Sequence, residues 1–156
     1  MTPVVAYQRT QTSLAGAWAL LLALVLTAVI AAVSDGLNGG FVVVVVPLYL
    51  LIGIVIAVFA RLTVTVNDHH VTAAFGWGWP ARTIEFADIH AVVAVRNSWW
   101  YGWGLRWIPR GTMYNVWGRD AVELELADDR VFRIGTDDVV GLRAALESGI
   151  VDTSRR

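Results

Sequence analysis

The sequence predicts an α+β membrane chain: a two-helix transmembrane hairpin, then an antiparallel β-barrel or sandwich of seven to eight strands, capped by a C-terminal α-helix. Three observations predict it. Leu14–Val33 and Phe41–Ala60 each run twenty residues without a charged side chain, and only the seven residues Ser34–Gly40 separate them. From Leu62 onward, apolar residues recur at every second position. Near the C-terminus that period gives way to a helical one, in Val139, Leu142 and Leu146.

A helix rises about 1.5 Å per residue, so twenty residues reach about 30 Å, the thickness of a hydrocarbon core. Backbone amides in lipid must pair within the segment, which forces helix even on the β-branched run Val42–Val46. Pro47 removes one hydrogen bond from the second helix and bends it. Small residues recur at spacing four: Ala15, Ala19, Ala23, Thr27 and Ala31 in the first helix, Gly53 and Ala57 in the second. Such rows let helices approach closely in lipid. They serve either a homo-oligomer contact or packing of the two helices within one chain, and the short linker favours the second. Arg9 and Val29-Ile30-Ala31 weakly resemble a signal peptide, but the apolar stretch is longer than a usual h-region. Basic residues set orientation. Arg9 precedes the first helix, Arg61 follows the second, and the linker holds only Asp35. Both termini are therefore expected in the cytoplasm, with residues 34–40 outside. Residues 1–13 read as an N-terminal tail, 14–60 as the hairpin, 61–149 as the aqueous domain and 150–156 as a C-terminal tail.

Composition narrows the function. The 156 residues carry a net charge of −1, so no nucleic-acid partner is indicated. There is no cysteine, which excludes disulfides, thiolate metal sites and cysteine nucleophiles. All twelve basic residues are Arg, which excludes Schiff-base chemistry and a P-loop.

The strands follow from alternation and turns. Leu62, Val64 and Val66 alternate with Thr63 and Thr65, and Val71, Ala73 and Phe75 follow a turn at Asp68-His69 that sets Val66 opposite Val71. Next come Arg82–Phe86, His90–Arg96, Trp103–Pro109, Thr112–Trp117, Asp120–Leu126 and Arg130–Ile134, separated by Gly, Pro and Asp signals. In the last hairpin, a three-residue loop would pair Leu124 with Ile134 and Glu125 with Arg133, with Asp129 or Arg130 left-handed. Thr136 reads as the N-cap of the final helix, which runs to about Ser148 with Gly149 as its stop.

Trp100-Tyr101-Gly102-Trp103-Gly104-Leu105-Arg106, then Asp120–Leu126, an acidic turn, Arg130–Ile134 and a Thr136-Asp137-Asp138 helix start, follow a two-helix hairpin. This pattern resembles small bacterial membrane proteins with a PH-like domain, over residues 62–148. The resemblance implies a strongly bent antiparallel barrel closed by the last helix, in the inner membrane of a bacterium. It implies no activity. Eukaryotic PH domains bind phosphoinositides through Lys and Arg in the first strand-turn-strand; here that turn is Asn67-Asp68-His69-His70, so that ligand does not carry over.

Seven of the eight tryptophans lie between Trp77 and Trp117. Trp99, Trp100 and Tyr101 read as a surface loop which, with Arg96, Arg106 and Arg110, contacts a membrane-protein partner or anionic lipid. Trp103, Leu105 and Trp107 share a strand face and read as core. Asp68, His69, His70 and His90 lack metal-ligand spacing, so no metal or other cofactor is expected. None of the serines sits in a nucleophile elbow, and Glu123 and Glu125 read as a solvated strand edge rather than a catalytic pair. Arg155-Arg156 reads as a solvated end. The expectation is a membrane-anchored binding or scaffold module without catalysis, whose alternative role is lipid or apolar-ligand binding.

Overall fold

The computed structural model describes residues 5–33 and 39–155; the expectations for residues 1–4, for most of the linker (34–38) and for Arg156 lie outside the described residues. Strand β1 (Val5–Thr12) leads into α1 (Ala15–Val33), followed by α2 (Gly39–Phe59) and β2 (Arg61–Asn67). β1 and β2 pair antiparallel, with Thr12 opposite Arg61 and Tyr7 opposite Val66. The helix pair is thus inserted into a β-hairpin, and both its ends leave from the same end of one sheet. At the junction the Ser13 amide donates to the Ala60 carbonyl at 2.8 Å.

The expected tail 1–13 therefore contains a strand. Val-Ala-Tyr-Gln-Arg-Thr-Gln-Thr has no run of alternating apolar side chains, which is the signal periodicity reads. Polar contacts hold it instead. Tyr7 OH donates to Asp138 Oδ2 at 3.2 Å, Arg9 donates to both Asp137 oxygens at 3.1 and 2.9 Å, and Gln11 Nε2 donates to the Gly135 carbonyl at 2.9 Å. Alternate residues of β1 thus lace the strand to the start of the last helix. Burial, then the neighbouring Asp138 carboxylate, pushes the Tyr7 hydroxyl up to about 12. The hydrogen bond from Arg9 holds the Asp137 carboxyl below its ordinary value.

Both helices are long and apolar enough to cross a membrane, over Ala15–Ala32 and Gly40–Phe59. They pack on each other through part of the expected stripe, Thr27 and Gly53, together with Gly16, which lies outside it. A Cβ on Gly16 would lie 2.9 Å from Ile56, and one on Gly53 would lie 3.5 Å from Leu20. Thr27 donates to Tyr49 OH at 2.6 Å, and Tyr49 donates to the Ala23 carbonyl at 3.0 Å. The side chains of Ala19, Ala23 and Ala57 are exposed, while Ala31 is buried.

The rest of the chain is β3 (His70–Phe75), β4 (Ala81–Glu85), β5 (Ile89–Arg96), β6 (Gly104–Ile108), β7 (Gly111–Asn115), β8 (Asp120–Leu126), β9 (Val131–Gly135) and α3 (Val139–Ser154). The strands form two sheets, β1-β2-β3-β4 and β5-β8-β9-β7-β6, an open sandwich rather than a closed barrel. It is not wholly antiparallel, because β7 and β9 run parallel. Between the sheets lie Leu62, Val64, Val66, Phe75, Leu124, Phe132 and Ile134, all but sealed from solvent, with Leu142 and Leu146 of α3. Phe75 joins the end of α2 to this core: its ring centroid is 5.0 Å from Phe59 and 4.9 Å from Tyr114.

The β2–β3 hairpin has Val66 opposite Val71, as its turn chemistry predicts. The β8–β9 hairpin has the expected three-residue loop with Asp129 left-handed (φ 61°), but its register differs: Leu124 faces Phe132, and Glu123 faces Arg133. The loop is 127–129, closed by the Leu126 amide on the Arg130 carbonyl. Glu123 is no solvated edge, because β8 lies between β5 and β9. Its carboxylate accepts from Arg133 Nε at 2.9 Å, and both side chains are only 16% exposed. At the start of α3 the N-cap is Asp138, whose carboxylate accepts from the Gly141 amide at 2.9 Å, while Thr136 Oγ1 accepts from the Asp138 amide. Gly149 does not stop the helix, and residues 150–154 of the expected tail are helical. A Cβ on Gly149 would lie 2.3 Å from the Phe86 ring, so glycine is needed there for close packing.

Candidate functional site

All seven tryptophans from Trp77 to Trp117 are exposed, although the sheets bury many smaller apolar residues. Large exposed aromatics are what a binding or interfacial surface carries and a solvated one avoids. This corrects the core expectation for Trp103 and Trp107, which are 51% and 83% exposed. Only Leu105 of that face packs on the core. The reason is topological. Trp107 lies on β6, the edge strand of its sheet, with no second layer over it, whereas Trp103 precedes that strand and stacks on Trp117.

The tryptophan loops are held rigidly from below. Asn115, 1% exposed, donates through Nδ2 to the carbonyls of Gly102 (3.4 Å) and Gly118 (3.2 Å). It thereby ties the loop before Trp103 to the loop after Trp117, whose rings stack at 5.3 Å and 14°. Gly135 permits this, since a Cβ there would lie 2.2 Å from Asn115 Oδ1. Asn97, also buried, donates its amide to the Arg119 carbonyl, accepts from Arg119 Nε at its own carbonyl and accepts from Arg133 through Oδ1. Trp99 and Trp100 follow in a 3-10 turn with centroids 4.7 Å apart. Nothing in periodicity marks Asn97 or Asn115; their signal is two buried amides next to glycine-bounded turns.

Of the six residues named from sequence, the structure gathers some and separates others. Trp99 and Trp100 are exposed, whereas Tyr101 is half-buried against Ile108, Met113 and Val131, with the Arg133 guanidinium 6.0 Å from its ring. Tyr101 therefore supports the loop from beneath as well as belonging to it. Arg96 faces Asp120 at 3.7 Å. Arg106 donates through Nε to the Trp103 carbonyl at 2.9 Å. Arg110 lies at the other end of β6, left-handed (φ 68°) and bonded to the Asp129 carbonyl, so it does not join the others.

Sequence reasoning missed how two of these loops meet the helices. The turn Gly76-Trp77-Gly78-Trp79-Pro80 is pressed against the end of α2: a Cβ on Gly76 (φ 49°) would lie 2.9 Å from the Val58 carbonyl oxygen. Trp77, 84% exposed, lines a groove with Gly53, Ile54 and Ala57 of α2. On another side, Trp103 and Arg106 border an apolar cleft of about 440 Å³ against Gly16, Ile56 and Phe59. Tryptophans therefore flank the base of the helix pair through both sheets. His70 meets Asn67 at 3.1 Å, and among the described residues no three His, Cys, Asp or Glu side chains come together as a metal site. Compared with protein-family models, curated proteins and solved structures, the chain matches none.

Proposed function

We propose that this chain is a membrane-anchored, PH-like binding module whose tryptophan loops sit in the headgroup layer on the cytoplasmic side of a bacterial inner membrane. One observation carries the proposal: Trp77 and Trp103 flank the base of two helices of membrane-spanning length. Tryptophan favours that layer because its ring is apolar and its N–H needs a polar partner. Arg61 and Arg106 lie at the same end, where anionic headgroups attract cations. The module recognises the bilayer surface itself, and the buried asparagines keep its loops in one arrangement, so little ordering entropy is lost on contact.

A second reading, docking of a membrane-protein partner, is favoured by Trp107. It is 83% exposed on edge strand β6 and distant from the helix base, near the turn that holds Arg110. Tethering in one plane raises effective concentration, so a small contact suffices there.

The test uses the full-length chain with Trp18→Phe, so that all emission comes from the sheet domain. It is reconstituted in vesicles whose acyl chains are brominated near the headgroup. Strong quenching by these lipids, with weak quenching by aqueous acrylamide, is the expected result. Emission that ignores brominated lipid and yields to acrylamide would remove the headgroup-layer reading and leave the loops to a protein partner.

A further inference from the structure

The cleft between the hairpin base and β6 has the size and lining of a ligand site, and what it would hold depends on the reading that α1 and α2 span a bilayer. Its volume of about 440 Å³ falls within the usual range of ligand pockets, about 300–1,000 Å³. Its walls are mainly apolar, from Gly16, Ile56, Phe59, Leu105 and Val116. Among the described residues, Arg106 is its one charged lining residue and no carboxylate lines it. Arg106 spends Nε on the Trp103 carbonyl, and its two Nη groups make no hydrogen bond among the described residues. A guanidinium held in this way presents a fork that fits phosphate oxygens. The depth matters as well. The cleft adjoins the first turn of α1 and the last turns of α2, where a bilayer changes from chains to headgroups.

We infer that this cleft holds one anionic glycerophospholipid, with an acyl chain between Ile56, Phe59 and Leu105 and its phosphate on Arg106. Charge and polarity select this occupant. A peptide would bring backbone donors and acceptors into a wall that offers them few partners, at a cost for each one left unpaired. A lipid chain brings none, and its phosphate stays at the Arg106 rim.

The experiment is native mass spectrometry of the full-length chain in a non-ionic detergent, incubated with dioleoylphosphatidylglycerol or dioleoylphosphatidylcholine. The wild-type chain is expected to retain one phosphatidylglycerol, with about tenfold preference over phosphatidylcholine. Arg106→Gln should abolish that preference. Val55→Trp, at an exposed position on the cleft wall, should reduce retention of both lipids about tenfold. Equal retention of the two lipids by the wild-type chain, or wild-type behaviour of both variants, would overturn the inference. If Val55→Trp fails to fold, Arg106→Gln still decides, because that side chain is exposed. Brominated-lipid quenching separates the two readings: quenching without retained lipid removes the cleft site alone, whereas no quenching removes the membrane seat and the cleft site with it.

Discussion

Asn115 shows how much one side chain can organise. It is buried, bonds two loop carbonyls and has a Cβ-less glycine opposite. Asn115→Ala strands both carbonyls and should cost about 1–3 kcal/mol, measured by denaturant unfolding in detergent. Near-UV circular dichroism should weaken as the Trp103–Trp117 stack loosens. Trp107 makes the opposite case. A core tryptophan lost to alanine costs about 3–5 kcal/mol, but an exposed one costs within about 0.5 kcal/mol. Trp107→Ala should therefore leave the unfolding midpoint unchanged; a large drop would mean the edge strand is covered. Gly76→Ala forces a left-handed residue against the Val58 carbonyl and should destabilise by about 1–2 kcal/mol or more.

At the scale of elements, β1 decides what counts as a domain. A fragment beginning at Leu62 would lack β1 and leave the backbone of β2 unpaired along one edge. Such a fragment should be less stable than the full chain and prone to aggregate, which size-exclusion chromatography of the two detects. The lacing of β1 also gives a pH dependence. Asp137 has a depressed pKa, so its contribution is present above the ordinary carboxylate value and is lost as pH falls through the depressed one. Tyr7 is raised, so its contribution is complete below the ordinary value of 10.0 and disappears as pH rises toward about 12. Arg9→Ala should flatten the acid limb and Tyr7→Phe the alkaline limb of a stability–pH curve. An unchanged acid limb in Arg9→Ala would show that β1 is not tied to Asp137 in solution.

For the whole molecule, strand pairing constrains topology independently of charge. β1 precedes the helix pair and β2 follows it, so their hydrogen bonds require both flanks on one side of any membrane. The chain has no cysteine, so introduced ones report alone. Cysteines at Gln8 and Asp129, both exposed, should be shielded from an impermeant maleimide in intact cells and labelled together after lysis. Labelling of both before lysis would invert the orientation, and labelling of only one would break the β1–β2 pairing.

By itself the sequence determined the local structure. Uncharged runs of membrane-spanning length, strand alternation from Leu62 to Ile134 and the stripe of Leu142 and Leu146 are short-range patterns, each imposed by one element's own period. It also narrowed the left-handed turn residue of the last hairpin to Asp129 or Arg130, and the fold places it at Asp129, a residue type that tolerates that conformation. The tertiary structure decided whatever depends on a distant partner. β1 is a strand because Asp137, Asp138 and Gly135 meet it from more than a hundred residues away. Gly149 is a packing contact because Phe86 lies over it. Trp107 points outward because β6 became an edge. A tryptophan is equally at ease in a core and at an interface, so its composition alone carries no side; only the position of its strand supplies one.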